Sequence, residues 1–94
     1  MREMAKKKFL HVTVSGEFDA KKLEEAVFDK ALDWVRYAPN CWILWTSRDP
    51  DDWFIMLRHN IQRMQSFFVV EINLENRRGW LPKWIWEWIN KKRI

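Results

Sequence analysis

A single cysteine, Cys41, leaves the 94-residue chain with no partner for an internal disulfide, and structural disulfides belong to oxidising compartments. Two glycines, Gly16 and Gly79, stand too far apart to build a phosphate-cradling loop. With only three prolines and no linker-like or repeated stretch, most of the chain is expected to be regular structure. No apolar run approaches the ~20 residues that a membrane span needs. The opening "MREMAKKKFL" is basic but has no apolar stretch of signal-peptide length. The expectation is a cytoplasmic protein with no membrane contact. It forms one domain over residues 1–94, with a basic tail over about 1–8.

Aromatic bulk is abundant, with eight Trp and six Phe. A domain this short buries only about 60% of the surface of its unfolded chain, so large side chains are an efficient way to build a core. Such aromatic richness also fits an association surface. The net charge is a mild +4, and its excess sits in Lys6 to Lys8, Arg77 to Arg78 and Lys91 to Arg93, a pattern of solvated ends. Cys41 fits a buried small apolar side chain.

Periodicity places the elements. "FLHVTVSG" alternates as a strand, with Leu10, Val12 and Val14 on one face. Asp19 can cap a helix whose stripe runs Leu23, Ala26, Val27, Ala31 and Trp34. "WVRY" reads either as the end of that helix or as a short strand before the Ala38-Pro39-Asn40 turn. "CWILWTS" is a β-prone central strand. Asp49, Pro50, Asp51 and Asp52 then open a second helix, with a stripe of Trp53, Met56, Leu57, Ile61 and Met64. "SFFVVEINL" is a further strand. A terminal helix spans about 81–92, with Trp84, Ile85, Trp88 and Ile89 in one arc and Trp86 outside it. The order is an α+β ferredoxin-like sandwich with an additional C-terminal helix.

The first strand "FLHVTVSG", the segment "WVRYAPNCWILWTS" before "DPDDW", the strand "FFVVEINL" and the terminal "GW…W…WI" resemble the small dimeric CRISPR-adaptation endoribonuclease superfamily. They are most similar to its SinR-like relatives of unclear function. The resemblance covers roughly residues 8–90. It implies that "WVRY" is an edge strand in a βαββαβ unit of strand order 4-1-3-2, and it implies a homodimer. Active members place a metal-binding Asp at the end of the first strand. Here Val14, Ser15 and Gly16 stand there, with Glu17 and Asp19 beyond.

No catalytic, metal or cofactor site is expected. The clustered Asp49, Asp51 and Asp52 have the spacing of a helix start, and His11, Cys41 and His59 are scattered over the elements. With Leu10, Val12, Trp42, Leu44, Phe68 and Val70 taken to face the helices, the opposite face carries Ile43, Trp45, Phe67 and Val69. Four large apolar residues on an uncovered face mark a contact. Ile43, Trp45, Phe67 and Val69 are therefore the expected interface, and Trp86 the expected anchor for a partner. Arg48, Arg77 and Arg78 are the candidate nucleic-acid contacts. The function expected is a non-catalytic homodimer binding another macromolecule, such as a regulator, an antitoxin or a phage-borne defence inhibitor. A metal-dependent endoribonuclease and an RNA-binding module with sheet aromatics are the alternatives.

Overall fold

Alternation at the start of the chain and helical spacing after it divide the protein into seven principal elements. The structure, a computed structural model, describes residues 6–61 and 65–92. Its elements are β1 (Lys8–Ser15), α1 (Ala20–Ala26), β2 (Asp33–Ala38), β3 (Cys41–Thr46), α2 (Pro50–Asn60), β4 (Ser66–Ile72) and α3 (Lys83–Lys91). All neighbouring strands pair antiparallel in the order β2-β3-β1-β4. This is the expected 4-1-3-2 order read from the other edge. The architecture is α+β, and no described helix is long and apolar enough to cross a membrane. Met64 of the expected second stripe lies outside the described residues.

Gly16 makes the turn after β1 with φ of +97°, a conformation open to Gly without the Cβ clash of other residues. Asp19 then caps α1, its carboxylate accepting from the Lys22 N–H at 3.1 Å. The helix ends at Ala26, well short of the apolar stripe that the spacing predicts. A 3-10 turn over Phe28–Lys30 follows, and the Leu32 N–H already donates to the Trp45 carbonyl at 2.9 Å. Ala31 is not part of α1, and Trp34 lies in β2. The repeat of large apolar residues persists here because the core-facing side chains of the turn and of β2 fall at helix-like intervals.

Two cores result, one on each face of the sheet. The first joins Leu10, Val12 and Val14 of β1 and Trp42 and Leu44 of β3 to Leu23, Val27, Phe28, Trp53 and Leu57 from the helical side. Trp42 is its centre, with ring centroids 4.8 Å from Phe28 and 5.9 Å from Phe18. Its indole N–H donates to Glu24 at 2.9 Å, and Arg36 holds the same carboxylate at 3.3 Å. The second core joins Phe9, Val35 and Ile43 to Ile85 and Ile89 of α3. The second face of the sheet, expected to be open, therefore carries a helix.

The phase of β4 also differs from the expectation. Val12 pairs with Val69 and Val14 with Phe67, so Phe67 and Val69 face the first core. Phe68, Val70 and Ile72 face the other way. In "SFFVVEI" both alternating sets are apolar, so hydrophobic contrast cannot choose between two phases one residue apart. Glu71 lies on the face of the first core, opposite Leu10 and exposed at the end of the strand.

Candidate interaction surface

Helix α3 is aimed by the arc of its own side chains. A line midway between Ile85 and Ile89 leaves Trp86 and Trp88 each about 80° away and Trp84 about 120° away, at 100° per residue. Ile85 and Ile89 are accordingly buried, Trp86 and Trp88 flank them, and Trp84 is 54% exposed. Trp86 lies at the rim of the buried arc rather than clear of it. It packs against the second core, and the Arg77 guanidinium lies 5.7 Å from its ring centroid. Arg93, at the end of the basic run that begins at Lys91, lies outside the described residues.

Asp33 fixes the far end of this helix. Its carboxylate accepts from the Trp88 indole at 2.9 Å and from the Trp34 backbone at 2.9 Å, and pairs with Lys92 at 2.8 Å. Burial alone would raise its carboxyl, but Lys92, Trp88 and the Trp34 N–H together hold it below the ordinary aspartate value. The Lys92 ammonium also stands 5.5 Å from the Trp88 ring centroid. Nothing in "LDW" signals this role, because the segment reads equally as helix.

With α3 in place, the expected interface no longer forms one surface. Ile43 is 5% exposed beneath the helix. Trp45 is half-buried against the same core, with its partner Phe9 at 4.8 Å between centroids. Phe67 and Val69 look toward the opposite side of the sheet. What α3 leaves is the other end of the second face, where Phe68 is 58% exposed. Val70, His11, Thr13 and Cys41 surround it, with Tyr37 at the border of the second core.

This remaining patch is polar in outline but carries little charge. His11 Nε2 and the Tyr37 hydroxyl are hydrogen-bonded. Cys41 Sγ lies 3.7 Å from Thr13 Oγ1 and donates to Asn40 Oδ1 at 3.5 Å. Burial, with Cys41 beside it, pushes the Tyr37 phenol up to about 12. Burial pushes His11 down from its ordinary value. Both are uncharged at neutral pH. His59 sits exposed on α2, which packs on the first core, so it does not join His11 and Cys41. Among the described residues no three His, Cys, Asp or Glu side chains gather as a metal site.

The lowered His11 value has a measurable consequence. The unfolded chain takes up the proton near pH 6.5, before the folded one. Stability is therefore complete above about pH 6.5 and falls as the pH drops from there toward the folded value. The melting temperature should decline over this window. His11→Gln should flatten the decline, and an unchanged slope in that variant would assign the effect to another group. Any loss due to Asp33 has the opposite cause and falls lower, below about pH 4.

The remaining candidates are dispersed. Asp49 occupies the position before α2, but its carboxylate pairs with Lys8 and makes no capping bond. Asp51 and Asp52 are exposed in the first turn of α2, and Glu17 is exposed after β1. Arg48 is exposed, with Nη1 3.8 Å from the Met56 sulfur. Arg77 is engaged with the Leu74 carbonyl at 2.8 Å and with Asn90, while Arg78 is exposed. Sequence reasoning missed Phe68 as the exposed aromatic of the sheet. It also missed Trp80, which is fully exposed before α3. No protein-family model matches the chain, and neither the curated proteins nor the solved structures offer a match.

Proposed function

We propose that the chain is a non-catalytic interaction protein that acts as a homodimer on a ferredoxin-like βαββαβ frame, in keeping with the SinR-like resemblance. The observation that carries this is the apolar surface left over after both faces of the sheet have acquired a core. Phe68, Trp80, Trp84, Leu32, Phe54 and Ile55 are all exposed. Phe68 is the best placed of them, since it stands on a strand beside half-buried Val70 and groups that are neutral at pH 7. Large aromatics flanked by uncharged polar groups suit a protein contact, where charge is depleted at the centre.

The wild-type protein is expected to sediment as a dimer at tens of micromolar. Phe68→Glu should sediment as a monomer with a nearly unchanged melting temperature, because the side chain already meets solvent in the protomer. A wild-type monomer at that concentration would overturn the reading.

A further inference from the structure

We infer that the free edge of β4 is the dimer seam and that it pairs antiparallel with β4 of a second copy, centred on Val69. The inference rests on the dimer reading and names its surface. Two backbone contacts fix which groups point where. The Val14 N–H donates toward the β3 side, to the Asn40 carbonyl at 3.1 Å. The Trp45 carbonyl accepts from Leu32 on the β2 side, and Trp45 is the partner of Phe9. Even-numbered residues of β1 thus direct their backbone groups to β3, and odd-numbered ones direct theirs to β4. Phe9, His11, Thr13 and Ser15 then form the hydrogen-bonded pairs with Ile72, Val70, Phe68 and Ser66. The register is continuous, so Phe67, Val69 and Glu71 aim their N–H and C=O groups outward. β4 is the last strand of the sheet, and among the described residues no backbone group completes these bonds.

The occupant follows from that chemistry. A row of alternating donors and acceptors is satisfied by another extended strand. The segment is also self-complementary. An antiparallel pair about Val69 sets Val69 against Val69 and Phe67 against Glu71 of the second copy, which satisfies all the outward groups. Phe68 then lies against Val70 on the second face, an aromatic–β-branched pair of the favourable kind. The opposite edge is protected. β2 has Asp33 and Arg36, a register irregularity between Arg36 and Ala38, and Pro39 directly after it, which are the devices that blunt a strand edge. β4 has no proline, no bulge and a single charge.

The test is disulfide trapping in a Cys41→Ser background. Val69→Cys should cross-link to itself under mild oxidation, since hydrogen-bonded antiparallel partners have Cα atoms about 5.5 Å apart, within disulfide range. Val70→Cys should not, because in this register its two copies stand roughly 8 Å apart, beyond disulfide reach. A mixture of Phe68→Cys and Val70→Cys chains should form the mixed dimer, and it decides the matter if Val69→Cys fails to fold. A wild-type dimer with none of these cross-links would overturn the β4 seam while leaving the dimer reading intact. A wild-type monomer would overturn both.

Discussion

Trp42→Ala is expected to cost about 3–5 kcal/mol, the range for truncating a buried large aromatic. Domains commonly have about 5–15 kcal/mol of total stability, so the variant should be partly unfolded at 37 °C or close to it. Trp42 is fully buried between Phe28 and Phe18, and its indole also bonds the Glu24 carboxylate. Truncation opens a cavity and leaves that carboxylate to Arg36 alone. Trp42→Phe separates the contributions, since it keeps a ring beside Phe28 but drops the donor. A bond to a charged group is worth roughly 1.5–3 kcal/mol, so the Phe variant should lie between wild type and Ala. Urea unfolding with an unchanged slope is the measurement. A Trp42→Ala midpoint equal to wild type would contradict the placement of this residue.

Removing the two isoleucines of α3 should have the next largest effect. Each Ile→Ala change in a core costs roughly 2–5 kcal/mol, and Ile85 and Ile89 are both 1% exposed. In the Ile85→Ala/Ile89→Ala double variant α3 should leave the sheet. Phe9, Ile43 and Trp45 would then be uncovered, the last two as the sequence predicts. The expected signs are weaker helical circular dichroism, red-shifted tryptophan emission and concentration-dependent aggregation, because large exposed apolar patches invite association. An unchanged emission maximum would mean that the helix holds by its Trp86 and Trp88 flanks and the Asp33 contacts.

The elements were legible where one face is apolar and the other polar. β1 alternates cleanly around Leu10, Val12 and Val14, and the Asp49-Pro50 start of α2 follows from local backbone chemistry. The phase of β4 was illegible for the reason that makes the fold compact: its sheet has a core on each face, so polar alternation is lost. Trp86 is a different case. The angular positions of Ile85 and Ile89 already place it at the rim of the buried arc, and the misplaced weight lay on Trp84 as a core residue. The expected surface shifts accordingly: Phe68 reads as interior yet is exposed, while Ile43 reads as exposed yet is buried beneath α3.

The position of β1 inside the sheet has a consequence for the order in which the chain can be assembled. Ser15 pairs with Ser66 and Phe9 with Ile72, partners more than fifty positions apart. At roughly 5–20 residues per second, synthesis of the intervening chain takes on the order of several seconds. Throughout that interval β1 has emerged but lacks β4, and the helix that shields Phe9 comes later still. The nascent chain therefore holds its middle strand half-bonded until β4 leaves the ribosome. Non-local pairing of this kind also slows refolding of the finished chain, toward the millisecond-to-second end of small-domain rates.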